Sequence, residues 1–248
     1  MKIVLHAFYF ALSYFSSIPV WVKDMKIVNE TYKYTLAFLP LIGVILACIV
    51  IGINLLLLEV FNPLYASFIS AVLYLFLYGF LHLEAVCDVV DASFAAHGGK
   101  DAYKIMKEPT IGAIGAMYAF SLALLKVGAI TYLLYEKQYM LFLVVLMFSR
   151  INFIYLLGFF NFNKDSFLSL AFQDAGVTKV KLYALLYVFF AFLISSHVMI
   201  LFVSSLVLFY VILKRLNKKF GFVNGDCLGY TLEHVELILL NISLVLIV

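Results

Sequence analysis

Charged side chains are scarce in this chain: Asp, Glu, Lys and Arg make up 12% of its 248 residues, against 66% hydrophobic. A soluble domain averages about a quarter charged residues, so the deficit excludes an ordinary water-soluble fold and leaves little room for a separate soluble domain. Mean hydropathy is +1.10. The three cysteines, Cys48, Cys87 and Cys227, are scattered and form no C-x-x-C pair. An odd, dispersed set argues against a disulfide framework or a zinc site. The net charge of +3 is small and gives no indication of nucleic acid, which is not expected among the partners. The N-terminus, MKIVLHAFYFALSYFSSIPV, has the lysine and apolar core of a signal peptide but lacks a small-x-small cleavage site. It is therefore expected to stay in the mature chain.

What is abundant is apolar length. Residues 1–18 are apolar but short and end at Pro19, which predicts an interfacial or re-entrant helix. Trp21 with Lys23, Lys26 and Lys33 marks a membrane–water boundary. Spans are predicted over about 36–60, 64–83, 111–135, 139–162 and 227–248. The run 182–213 reads as one long helix or as two short ones turning near Ser195, Ser196 and His197. Charge bias favours two, about 182–195 and 198–213. With that hairpin, Lys100, Lys104, Lys107, Lys164, Lys179, Lys181, Lys214, Arg215, Lys218 and Lys219 join the N-terminal lysines on one side, leaving only Lys137 opposite. The richly positive side is the cytoplasmic one. The expected fold is all-α: a polytopic helical bundle in a membrane, one domain over 1–248, with about six to seven crossings after the N-terminal segment.

The stretch 79–115, GFLHLEAVCDVVDASFAAHGGKDAYKIMKEPTIGAIG, organises the rest. Glu84, Asp88 and Asp91 are spaced by four and three, which on a helix puts them on one face. Acids at the C-terminal end of a span meet the negative pole of its dipole and repel each other unless a cation answers them. Carboxylate oxygens suit a hard divalent ion such as Mg²⁺. Lys100, Lys104 and Lys107 follow, then Gly112 and Gly115. An acidic shelf beside basic, glycine-bearing backbone is what phosphoryl transfer needs; the plainer reading is a solvated helix end with surface charges. His82 adjoins the shelf, either orienting a carboxylate or filling a structural place.

Two further charges, Lys126 and Arg150, lie inside apolar runs, where a bare charge costs about 2.5–3.5 kcal/mol on insertion scales. Arg150 is expected in an anionic substrate pocket, with a structural ion pair as the alternative; Lys126 is expected to snorkel or pair. A second polar group of residues is GFVNGDCLGYTLEHVE, 221–236. Asp226 is placed to cap the last helix. Glu233 and Glu236 follow on one face of it and need cations or polar substrate. Pairing with Lys126 or Arg150 is the structural alternative to substrate binding.

Taken together, HLEAVCDVVDA (82–92) and IMKEPTIGAIG (105–115) resemble the HLDGLADTxDG and IMKDSxxGxxG motifs of the cobalamin synthase family. SSIPV (16–20), FLPLIG (38–43), SR (149–150) and 221–236 fall in family order around them, covering nearly the whole chain. The sequence departs from the pattern at Glu84, where Asp is usual, at Ala85 and Ala92, where Gly is usual, and at Pro109, where Ser is usual. The resemblance implies a prokaryotic inner-membrane enzyme with a cytoplasmic site, which joins adenosylcobinamide-GDP to a hydroxyl of α-ribazole or its 5′-phosphate and releases GMP. It also implies Mg²⁺ on Glu84, Asp88, Asp91 and Asp226. Lys104 or Lys107 and Arg150 would face the phosphates, and one carboxylate would take the proton. Membrane lipid surrounds such a protein, and there is room for a homo-oligomer.

The D-x-x-D spacing is also similar to that of CDP-alcohol phosphotransferases, but their pattern continues with Gly and Ala-Arg. Here Ala92 follows, with no Arg nearby. An ion-coupled transporter would explain the charges within apolar runs, yet internal repeats are not evident and the acids lie on the loop side.

Overall fold

The computed structural model describes residues 2–20, 29–98, 101–160, 162–163, 178–193 and 198–247. Trp21, Lys23, Lys26, Lys100, Lys164 and the expected turn at Ser195–His197 lie outside them. The described chain is helical: α1 (Lys2–Tyr14), α2 (Asn29–Leu57), α3 (Pro63–Tyr78), α4 (Leu81–His97), the single turn α5 (Ala102–Ile105), α6 (Ala113–Tyr135), α7 (Tyr139–Leu156), α8 (Thr178–Phe192), α9 (Val198–Phe220) and α10 (Gly225–Leu246).

Five helices, α2, α6, α7, α9 and α10, are long and apolar enough to cross a membrane; the pair α3–α4 would be a sixth only as one span, and it is bent by 78°. A crossing needs about 20 residues, so α8, with 15, is short. The run 182–213 is thus divided between two helices, with α9 longer than expected. Bulky apolar side chains such as Leu124, Phe189, Phe190 and Val207 are exposed on the outside, and lipid rather than water is the solvent that tolerates such a surface. This is an integral membrane protein.

The core sits along α7, whose Phe142, Val145, Phe148 and Ile151 are fully enclosed between α2, α9 and α10. The 13-residue α1 is too short to span. It lays Ala7, Phe10 and Ala11 against α2 and keeps Ile3, Val4 and Leu5 outward, as an interfacial helix does. The SSIPV segment then ties this helix to α3, where Ser17 donates from its amide to the Leu77 carbonyl at 2.8 Å. At the same end of the bundle, the Asn163 amide donates to the Val223 carbonyl at 2.9 Å. The links gather the ends of α1, α3, α7 and α10 around α4 and α5.

Candidate active site

The site is built on an elbow. Asn62 starts α3 by accepting the Tyr65 amide, with Pro63 in the first turn. Gly79 ends it, adopting a φ of +85° while its amide reaches the carbonyls of Leu75 and Phe76. Phe80 also takes a positive φ, and α4 restarts at Leu81 with its axis turned by 78°. The sequence-based span 64–83 is therefore broken, and the acids stand on a new helix that folds across the end of the bundle. Glu84 falls in its first turn, beside the positive pole of the dipole rather than the negative one. That inverts the expected electrostatics.

The three acids then part company. Asp91 turns toward α6, where Oδ2 accepts the Gly112 amide at 2.7 Å and Oδ1 the Gly115 amide at 2.9 Å. Gly112 opens α6 with no side chain to cap it, so Asp91 supplies that cap from another helix. A Cβ on Gly112 would stand 2.5 Å from Asp91 Oδ1, and one on Gly115 2.6 Å from the Cys87 carbonyl. The amides of the glycine-bearing backbone beside the expected acidic shelf are thus occupied by Asp91, and Asp91 is not part of the acidic pocket.

Glu84 and Asp88 do face that pocket, a cavity of about 350 Å³ that they share with Lys107, Glu108 and Asp226. Lys107 donates to Asp226 Oδ2 at 2.9 Å. Burial opposes the charge on Lys107, but the hydrogen bond and charge of Asp226 leave its pKa raised. Asp88 is pushed up to about 6, first by burial and then by the charges of Asp226 and Glu84. Asp226 was expected to cap α10, but Asn224 does so instead, accepting the Cys227 amide at 2.9 Å. Its Nδ2 donates to Asp226 at 2.8 Å, which holds the carboxylate toward the pocket. Asn224 was not singled out in the sequence, although an Asn at the start of an apolar helix is a capping signal. Lys104 lies exposed on α5 and does not line the pocket.

Arg150, Glu233 and Glu236 come together elsewhere, in the buried middle of the bundle. Lys126 reaches Glu233 at 2.7 Å and Glu236 at 2.8 Å, and Arg150 reaches Glu236 at 2.6 Å. Tyr74 donates to Glu236 at 2.5 Å, and Tyr78 donates to Glu233. Ser149 completes the shell on Glu236 at 3.0 Å. Every charge finds an opposite one, which is how ions survive inside a membrane. The structural pairing named as the alternative is the arrangement found. The tyrosines, four apart on one face of α3, were not anticipated.

Among the described residues, no three His, Cys, Asp or Glu side chains are grouped to hold a metal ion by themselves. That argues against a preformed cage. Mg²⁺ needs less, being commonly held by one or two carboxylates and completed by substrate phosphates. Glu84 and Asp88, crowded by Asp226 in one polar cavity, fit an ion that arrives with an anionic substrate.

The sequence model of the cobalamin-5-phosphate synthase family matches residues 7–244. The chain belongs to this family. Relatives named adenosylcobinamide-GDP ribazoletransferase agree along the full length: that of Brevibacillus brevis is 24% identical over 95% of this chain and 96% of its own. The Treponema denticola protein is 27% identical over the same shares. An Acinetobacter baumannii relative of that name is 33% identical over 55% of each chain. No solved structure matches. Within the family frame, the acidic motif is the start of α4 and the IMK segment is the loop that brings Lys107 to Asp226.

Proposed function

We propose that this protein is the Mg²⁺-dependent enzyme that couples adenosylcobinamide-GDP to α-ribazole or its 5′-phosphate, forming adenosylcobalamin or its 5′-phosphate and GMP. The observation that carries the reading is the convergence of Glu84, Asp88, Asp226 and Lys107 on one cavity, in a chain of this family. In the reaction a ribazole hydroxyl oxygen bonds to the phosphorus next to the cobinamide arm. The bond from that phosphorus to the oxygen of GMP breaks, and the hydroxyl proton departs. Glu84 and Asp88 would hold the ion. When bound, Mg²⁺ neutralises charge on the diphosphate and eases departure of GMP. Lys107, half exposed on its loop, exchanges Asp226 for a substrate phosphate. Asp226, released from the lysine and still oriented by Asn224, takes the proton. The gathering of lysines at this end of the bundle supports a cytoplasmic site in a prokaryotic inner membrane.

The test is product analysis with purified protein in detergent. Adenosylcobinamide-GDP with α-ribazole should yield GMP, while a CDP-activated lipid with an alcohol should yield no CMP. CMP from the second mixture alone would replace this reading with the lipid-enzyme one.

A further inference from the structure

Behind the acidic pocket lies a second cavity, of about 110 Å³, which the reaction as drawn so far does not use. Its walls include Tyr14, Phe15, His82, Phe153, Asp226 and Gly229, so the two cavities meet at Asp226. The lining is chiefly apolar and aromatic. Besides Asp226 it includes His82, which is 8% exposed and whose Nε2 is buried with no hydrogen-bond partner. Buried polar atoms are almost always satisfied, and leaving one bare costs about 1–3 kcal/mol. A polar atom left bare on a residue that lines a cavity beside a reacting group is therefore a point at which a ligand can bond.

The ring of His82 is fixed against Tyr78 and Phe15, with centroids 5.2 and 5.9 Å away. Gly229 keeps the space open: a Cβ there would come within 2.7 Å of the Ala85 methyl and 3.3 Å of His82 Nδ1. For scale, an apolar cavity of about 150 Å³ lodges a benzene ring. A cavity somewhat smaller does not enclose a fused pair of rings, but being open at one side it admits the edge of one.

We propose that this cavity is the acceptor subsite, which the nitrogen-bearing edge of the ribazole's fused aromatic base enters beside Tyr14, Phe15 and Phe153, its unsubstituted ring nitrogen bonding to His82 Nε2. This rests on the functional reading above. Neutral imidazole can serve either way, and a ring nitrogen without hydrogen accepts, so the proton sits on Nε2. The ribose then points back toward Asp226, where its hydroxyl meets the phosphorus held in the acidic pocket. Donor and acceptor thereby reach the phosphorus from two cavities that meet at Asp226, and in-line displacement requires the attacking hydroxyl to stand opposite the departing oxygen of GMP across that phosphorus.

The experiment compares two acceptors on the wild-type protein: α-ribazole, and the matching riboside whose base has carbon in place of the free ring nitrogen. GMP release is followed while each substrate is varied. The nitrogen-free acceptor should have a kcat/KM lower by about tenfold, the discrimination one neutral hydrogen bond supplies, with the KM for adenosylcobinamide-GDP unmoved. In His82→Phe the two acceptors should become equivalent. Gly229→Ala should raise the KM of both acceptors and leave that of the donor unchanged. Equal use of the two acceptors by the wild type would overturn the subsite while leaving the transferase reading standing. So would variants that weaken donor and acceptor alike. Wild-type protein that releases no GMP with either acceptor would overturn both.

Discussion

Asp88 and Asp91 are three residues apart on one helix and perform different work. Asp91 spends both oxygens on the amides of Gly112 and Gly115, so its removal uncaps α6. Asp91→Ala should cost about 1.5–3 kcal/mol, the range for hydrogen bonds to a charged group, and should register as a lower melting temperature of the detergent-solubilised protein. An unchanged melt would contradict the capping role. Asp88 instead faces the acidic cavity with its pKa raised from 3.8 to about 6. A carboxyl whose folded pKa is raised holds its proton longer in the folded chain. Its contribution to stability in ion-free protein is therefore full below pH 3.8 and is lost as the pH rises through 6. Magnesium needs the carboxylate, so its stabilising effect has the reverse sign with pH. Melts with Mg²⁺ and with EDTA should coincide well below pH 6 and separate above it; a separation that ignores pH would exclude Asp88 as a ligand.

At the scale of elements, the decisive feature is the join between α4 and α6. Gly115→Ala would drive a methyl into the Cys87 carbonyl and the Asp91 carboxylate. It should displace the start of α6, and with it the loop that carries Lys107. The expected outcome is loss of transfer together with increased protease cleavage in the 101–112 loop; activity and cleavage like wild type would show that the helices have slack. Much of this architecture was legible in the sequence. Apolar runs located α2, α6, α7, α9 and α10, and charge bias divided 182–213 into two helices as α8 and α9 are divided. The elbow was not legible, because an apolar run reads as continuous across Gly79 and only the positive φ values of Gly79 and Phe80 break it. That one break moved the acids from the end of a helix to the beginning of the next. The role of Asp91 was hidden for a related reason: its partners are backbone amides brought to it by a neighbouring helix, and amides leave no mark in side-chain spacing.

Among the described residues of the whole molecule, two groups of charges stand apart. In the bundle interior Lys126 and Arg150 answer Glu233 and Glu236 with their shells completed by Tyr74, Tyr78 and Ser149, which ties α3, α6, α7 and α10 together. Removing one member leaves a buried ion without its partner, so Glu236→Gln should destabilise the fold by about 3–5 kcal/mol, seen as loss of extractable, monodisperse protein; normal yield and melting would mean the network is dispensable. At the bundle end, by contrast, Glu84, Asp88 and Asp226 crowd one cavity with a single lysine, Lys107, among its lining. The imbalance is the physical basis for the proposed ion that comes with the substrate. The most direct test is the Mg²⁺ dependence of GMP release from adenosylcobinamide-GDP and α-ribazole, in the wild type and in Asp88→Asn. EDTA should stop wild-type turnover and Mg²⁺ should restore it. Asp88→Asn at saturating Mg²⁺ should be slower by about a hundredfold or more, as loss of several kcal/mol of charge stabilisation requires. Turnover indifferent to chelation, or an Asp88→Asn protein as fast as the wild type, would contradict the account.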